Sequence, residues 1–352
     1  MPRAYAATVS TRTTSPTDSR AQDLATVTRD MIFDEKYMRR CIELAQNGRL
    51  HAAPNPMVGA VIVHQDRIIG EGFHTCCGKA HAEVNAINSV KPEDRPLLKD
   101  STIYVSLEPC AHYGRTPPCA VLIVKTGIPR CVIGCVDPFA KVQGRGIEIL
   151  REAGVEVEVG VLEAECRALN VRFMTAQTLH RPYITLKWAR SADGFIDRWR
   201  DSADEEPAHL STPYSLMRVH RLRAEHQAIL VGHGTLTKDR PTLTVRHWTG
   251  NDPLRVVLGR VGEDELPAGF LAFADIDTML EDLYHRGIQS LLVEGGQQTL
   301  QSFIDEGLWN EAWVETAETE LGCGVPEPRM PVGVRLNTEQ AYGATIWHYI
   351  NV

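Results

Sequence analysis

His81-Ala82-Glu83-Val84 and Leu107-Glu108-Pro109-Cys110-Ala111-His112-Tyr113-Gly114-Arg115-Thr116-Pro117-Pro118-Cys119 are the pieces of sequence from which the rest of the chain can be read. Within them His81, Glu83, Cys110 and Cys119 supply an imidazole, a carboxylate and two thiols, the set needed by a zinc site that activates water for hydrolytic deamination. In such a site His81, Cys110 and Cys119 bind the metal, which keeps a fourth position for water and lowers its pKa towards ~7. Glu83 stays off the metal and moves protons between that water, a ring nitrogen and the leaving amine. The local patterns suit these roles. His81 and Glu83 open a segment with helical apolar spacing at Val84, Ile87 and Val90. Thr102 to Leu107 is rich in strand formers and is stopped by Glu108-Pro109, so Cys110 falls just past a strand end. Cys119 follows two prolines and opens an apolar helical run, and a helix N-terminus favours the thiolate that zinc requires. Eight residues separate the two cysteines, where the usual zinc-deaminase signature has two. A closed structural zinc site completed by Cys76 or Cys77 is the competing reading, and it leaves Glu83 without a role.

Around this stretch, strands and helices alternate at the lengths of a layered α/β fold. Met38, Cys41, Ile42, Leu44 and Ala45 have helical spacing, and Pro54-Asn55-Pro56 is a turn. Strands are expected at Val58–Val63, Arg67–Phe73, Cys131–Val136 and Val155–Val159, with helices at Gly144–Glu152 and Glu163–Ala176. His180-Arg181-Pro182 marks a boundary, after which Tyr183–Ala189 begins a second α/β series. Its expected strands are Ala228–Val231, Arg255–Leu258 and Ser290–Val293, and its helices 213–224, 277–287 and 297–306. The punctuated tail after Pro326 offers only a final strand at Thr345–Ile350. The division expected is therefore a domain at 31–180 and a second at 181–352. Residues 1–30, rich in Ser, Thr and Ala, read as a disordered or non-native extension before a start at Met31; Asp18, Asp23 and Asp30 count against a transit peptide.

Composition narrows the function classes. A net charge of −8 gives no basic field for a polyanion, so no nucleic-acid partner is expected. No run approaches the ~18 apolar residues of a membrane span. Nine cysteines, an odd count with no signal-like leader, read as reduced thiols in the cytoplasm.

The motifs resemble those of the bifunctional riboflavin-biosynthesis deaminase–reductases. The first half shares Pro54-Asn55-Pro56-Met57-Val58-Gly59, His81-Ala82-Glu83-Val84 and the long Cys110–Cys119 motif. The second half shares Leu186-Lys187-Trp188-Ala189-Arg190-Ser191-Ala192-Asp193-Gly194, Val231-Gly232-His233-Gly234-Thr235, Asp239-Arg240-Pro241-Thr242-Leu243-Thr244 and Val293-Glu294-Gly295-Gly296. The resemblance covers about 31 to 320 and implies a cytidine-deaminase-like three-layer domain followed by a dihydrofolate-reductase-like domain. It implies zinc-dependent hydrolysis of the 2-amine of a diaminopyrimidinone bearing ribosylamine 5-phosphate, then NADPH reduction of the ribosyl group to ribityl. Zinc and NADPH are the implied cofactors, a small phosphorylated pyrimidine the implied substrate, and a homo-oligomer (dimer or tetramer) the implied assembly. Carried across, Asn55 meets the pyrimidine, while His74, Lys79, His112 and Arg115 line the substrate or phosphate side, with Asp137 in the Asp-Pro loop. Phe139 stands where that loop usually carries Asn. In the reductase, Lys187, Arg246 and Glu294 match substrate-side positions, and Asp239 is the candidate acid at the sugar carbon. Ser191, Ser211, Thr212, Gly234, Thr235, Gly295 and Gly296 match the cofactor side, the paired glycines allowing close approach of phosphates. Ala192 and Gly259 depart from the usual Leu and Asp. The alternative is a deaminase whose reductase half is an inactive structural module.

Overall fold

The computed structural model describes residues 34–112, 117–139, 143–262, 264–341 and 343–351. Its first half runs through α1 (residues 34–45), β1 (Gly59–His64), β2 (Arg67–Phe73), α2 (Ala82–Ser89), β3 (Thr102–Val105), α3 (Cys119–Thr126) and β4 (Arg130–Ile133). It continues with α4 (Arg145–Glu152), β5 (Glu156–Val159), α5 (Glu163–Leu169) and α6 (Val171–Leu179). The five strands lie in the order β2-β1-β3-β4-β5, with β1 antiparallel to both neighbours and β3, β4 and β5 parallel. Apolar runs without a polar alternate are what strands covered on both faces require. Alternate side chains accordingly enter two cores. Ala60, Ile62, Ile103 and Val105 pack with Ala86 of α2, Ile123 of α3 and Leu150 of α4. Val61, Val63, Tyr104 and Val132 pack with Met38 and Cys41 of α1 and Phe173 of α6. Gly59 lets α1 cross close to β1, since a Cβ there would collide with the Cys41 carbonyl.

The helix expected over Glu163–Ala176 is two helices. Asn170 leaves helical geometry (φ −110°, ψ 24°) between them. Its side chain accepts a hydrogen bond from the Met57 N–H and donates one to the Met57 carbonyl, each 2.8 Å, so the break serves the Pro54–Met57 loop.

The second half comprises β6 (Tyr183–Arg190), β7 (Phe195–Asp197), α7 (Pro213–Glu225), β8 (Ala228–Gly232), α8 (His233–Asp239), β9 (Leu254–Leu258), β10 (Phe270–Phe273) and α9 (Ile276–His285). Then follow β11 (Ser290–Val293), α10 (Gln297–Asp305), β12 (Glu311–Thr316), β13 (Val325–Pro326), β14 (Arg335–Ala341) and β15 (Ala344–Ile350). Eight strands form one sheet in the order β10-β9-β8-β11-β6-β12-β15-β14, parallel as far as β12 and antiparallel beyond it. Leu230, Val256, Leu291 and Val293 pack on one face with Met279, Leu283, Leu300 and Phe303, while Ile229, Val231, Val257 and Leu292 pack on the other with Leu236 and Leu243.

The parallel strands share one polarity, and this sets the layout of the molecule. Gly232, Leu258 and Glu294 stand at their C-terminal ends. Tyr183, Gln227 and Gln289 stand at their N-terminal ends, which face the first half across a cavity of about 480 Å³. Arg49 pairs with Glu225 at 3.4 Å, and Arg172 reaches the Glu225 carbonyl and the His226 ring (3.2 Å).

Candidate active sites

His81 is the N-cap of α2, Cys119 the first residue of α3, and Cys110 lies in the loop after β3. These three elements bring the ligand atoms within 4.8 Å of one another. His81 Nδ1 is 3.5 Å from Cys110 Sγ and 3.4 Å from Cys119 Sγ. One imidazole and two thiolates at this separation fit a tetrahedral zinc with one position left for a non-protein ligand. Among the described residues the group has no fourth member, and Cys76 and Cys77 lie outside it. Glu83, in the first turn of α2, is 3% exposed, and burial pushes its carboxyl up to about 7. A carboxyl poised there can both take and return a proton near neutrality.

The wall beside this group is built by Asn55 and His74. The Ala80 carbonyl accepts from His74 Nδ1–H at 3.1 Å, so Nε2 accepts from the Asn55 amide nitrogen, also at 3.1 Å. The Asn55 amide oxygen is thereby turned away from His74. His74 is 2% exposed, and burial lowers its pKa. It stands as a neutral support behind Asn55. Asp137, just past β4, is buried, accepts the Phe139 N–H at 2.8 Å and is pushed up to about 6 by burial. Lys79 and His112 are exposed, and the His112 ring stands edge-on to Phe139 at 6.3 Å. Arg115 lies outside the described residues.

Glu108 carries no role in the sequence reading, yet it is 4% exposed and accepts from the backbone N–H groups of Asp137, Gly144, Gly146 and Ile147. It ties the Cys110 loop to the start of α4. Only a buried carboxylate could have signalled this, and burial is not visible in a loop sequence.

The second candidate site is a cleft of about 1040 Å³ at the C-terminal ends of the second sheet. Lys187, Ser211, Gly234, Thr235, Asp239, Glu294, Gly295 and Gly296 line it. Gly296 caps α10, and its N–H donates to Thr235 Oγ1 at 3.1 Å. A Cβ on Gly295 would lie 2.8 Å from the Thr299 Cβ, so only glycine keeps the backbone this close to α10. Free N–H groups at a helix start beside a glycine-bared backbone fit a pyrophosphate, and hence NADPH. Burial alone would raise the Glu294 carboxyl, but Arg223 (2.7 and 3.1 Å) and Lys187 hold it below its ordinary value. Arg223 projects from α7 and was not singled out in the sequence; its partner is far away along the chain. Asp239 is paired with Arg200 at 2.5 Å, which also holds Asp197 at 2.7 Å. This pair fixes the position of the Asp239 side chain on the cleft wall.

The structure does not bring every expected residue into the cleft lining. Ser191 is fully buried, donating to Asp193 at 2.6 Å and accepting from the Phe195 N–H, which closes the turn after β6. Thr212 caps α7 by accepting from the Ser215 N–H at 3.1 Å. The Arg246 guanidinium rests on Thr242 and Thr244.

Residues 31–135 match the cytidine and deoxycytidylate deaminase zinc-binding region, and residues 182–340 match the RibD C-terminal domain. The riboflavin biosynthesis protein RibD of Aquifex aeolicus is 38% identical over 83% of this chain and 89% of its own length. The Escherichia coli RibD is 41% identical over 62% of this chain and 57% of its own. Among solved structures, the Thermotoga maritima diaminohydroxyphosphoribosylaminopyrimidine deaminase/5-amino-6-(5-phosphoribosylamino)uracil reductase superposes with a TM-score of 0.83 at 34% identity, covering 92% of this chain and 100% of that one. Acinetobacter baumannii RibD superposes with a TM-score of 0.81 at 32% identity over the same shares. Nothing in these relatives supports a deaminase with an inert second half. With a zinc-deaminase site in its first half and a RibD reductase domain in its second, the chain belongs to the RibD family of bifunctional deaminase–reductases of riboflavin biosynthesis.

Proposed function

We propose a division of labour among individual residues for the two consecutive steps that the chain catalyses. These are zinc-dependent deamination of 2,5-diamino-6-(ribosylamino)-pyrimidinone 5′-phosphate and NADPH reduction of its ribosyl group to ribityl. The observation that carries the reading is the His81–Cys110–Cys119 group beside the buried Glu83, on the same chain as the glycine-lined cleft.

In the first step zinc, when bound, supplies the Lewis acidity that makes water nucleophilic at neutral pH. His81, Cys110 and Cys119 hold it. Glu83 takes one proton from the attacking water and passes it to the ring nitrogen; it then takes the remaining proton from the added hydroxyl and passes it to the departing amine, which leaves as ammonia as the carbonyl forms. Asn55 hydrogen-bonds the pyrimidine through its free amide oxygen and is oriented by His74. Lys79, His112, Asp137 and Arg115 serve the polar substrate.

In the second step NADPH, when bound in the cleft, would supply hydride to the C1 carbon of the ring-opened imine. Gly234, Thr235, Gly295, Gly296 and Ser211 hold the dinucleotide. Lys187 and Glu294 orient the substrate, with Arg223 fixing Glu294, and Arg246 serves the same side. Asp239, held on the cleft wall by Arg200, is the acid that supplies the proton the imine nitrogen takes up as hydride reaches C1. Ser191 and Thr212 act from behind, by shaping the turn after β6 and the start of α7. The domain division that suits these roles is 31–180 and 181–352.

We place the enzyme in the cytoplasm as a homo-oligomer without a nucleic-acid partner. All nine cysteines are unpaired, as in a reducing compartment, and no helix among the described residues is long and apolar enough to cross a membrane. Tyr214 and Met217 expose apolar surface on α7, which supports self-association. Light scattering reads the assembly: a single-chain mass would refute it. Supplying the diaminopyrimidine alone should release ammonia without oxidising NADPH, and subsequent addition of NADPH should start its oxidation. NADPH loss without prior ammonia release would refute the order of steps.

A further inference from the structure

Gln289 belongs to the reductase half, yet its side chain ends on the deaminase. It stands at the N-terminal end of β11 and is 7% exposed. Its backbone is fixed from both sides: its N–H donates to Gln227 Oε1 at 2.8 Å, and its carbonyl accepts from the Tyr183 N–H at 2.9 Å. The side-chain Nε2 crosses between the halves and donates to the Pro54 carbonyl at 2.7 Å. Pro54 immediately precedes Asn55, whose amide meets His74. Among the described residues Gln289 is the one reductase-half side chain that donates to this loop. The rest of that flank borders the cavity of about 480 Å³, which Asn55, Pro56 and Met57 also line. Asn170 grips the other end of the loop at Met57 from within the deaminase half. The loop is thus anchored at two points, one of them supplied by the other catalytic half.

We propose that Gln289 is a positioning residue for the deaminase: held by the reductase sheet, it fixes the Pro54 carbonyl and thereby sets Asn55 against the pyrimidine. The proposal rests on the reading that Asn55 contacts the substrate. A hydrogen bond to a loop carbonyl acts on how well the substrate is held, not on the proton transfers at Glu83. Gln289 also lies five residues before Glu294, about 17 Å along the strand, so its loss should leave the hydride step untouched.

The test uses the full-length zinc-loaded enzyme. Gln289→Met keeps the side-chain volume and removes the donor; Gln289→Ala removes both. Both variants should raise the deamination KM by about 2- to 10-fold, the scale of one hydrogen bond, with kcat within about twofold. Zinc content and the rate of NADPH oxidation with pre-deaminated substrate should stay at the parent values. Asn55→Ala alone should raise the same KM, and adding Gln289→Met to it should change nothing further. A parent KM in Gln289→Met, or full additivity with Asn55→Ala, would overturn the proposal while leaving the role of Asn55 intact. A silent Asn55→Ala would overturn the underlying reading and the proposal with it. A lowered melting temperature with unchanged KM would make Gln289 a packing residue and also overturn it.

Discussion

Glu83 and Asp239 carry the same functional group in different surroundings. Glu83 is buried beside two thiols, and desolvation raises its carboxyl to about 7. Asp239 lies on a cleft wall, ion-paired with Arg200. Replacing Glu83 by Gln keeps the shape and hydrogen-bonding reach but removes the proton carrier. Deamination should fall by about 10²- to 10⁴-fold with zinc retained stoichiometrically, as elemental analysis would show. Loss of zinc in step with activity would mean that Glu83 serves the metal. Asp239→Asn keeps size and removes the acid, so it should lower kcat for NADPH oxidation and spare ammonia release. The His81, Cys110 and Cys119 group was legible because its members fall in two short motifs whose spacing the sequence displays. Arg223, Glu108 and Gln289 were not, because each acts through a partner distant in sequence and through burial that no local pattern encodes.

Among the elements, long apolar or strongly periodic segments read correctly: Arg67–Phe73 and Ser290–Val293 are strands with the expected bounds. The failures have local causes. β14 carries Asn, Thr, Glu and Gln on exposed positions and is a strand only because it pairs with β15 along its whole length. β12 includes the buried Glu315, a charge that reads as a surface residue. The run Glu163–Ala176 has helical spacing throughout, and nothing in that spacing announces that Asn170 leaves the helix to hold Met57. That clamp can be tested. Asn170 is 3% exposed, so Asn170→Ala should destabilise the protein by about 1–3 kcal/mol in urea unfolding and raise the deamination KM. Unchanged values of both would show that the break between α5 and α6 has another origin.

At the scale of the whole molecule, strand polarity separates the two chemistries within one chain. The deaminase packs against the N-terminal ends of the reductase strands, whereas the glycine-lined cleft opens at their C-terminal ends. The seam between the halves buries His226, which donates through Nδ1 to the Leu222 carbonyl and meets Thr185 and Arg172 through Nε2. Burial pushes its pKa down to about 3, so between that value and ~6.5 the unfolded chain binds a proton that the folded chain refuses. Stability is therefore lost as pH falls through this window, by about 2 kcal/mol from His226 at pH 5. His226→Gln should flatten that part of the urea-unfolding profile; an identical slope in both proteins would place the acid sensitivity elsewhere. The central claim, two separate sites used in sequence, is tested most directly by NADPH oxidation in zinc-loaded Glu83→Gln given each substrate in turn. The account predicts no oxidation with the diaminopyrimidine and the parent rate with its deaminated product. Oxidation with the diaminopyrimidine, or none with the deaminated product, would contradict it.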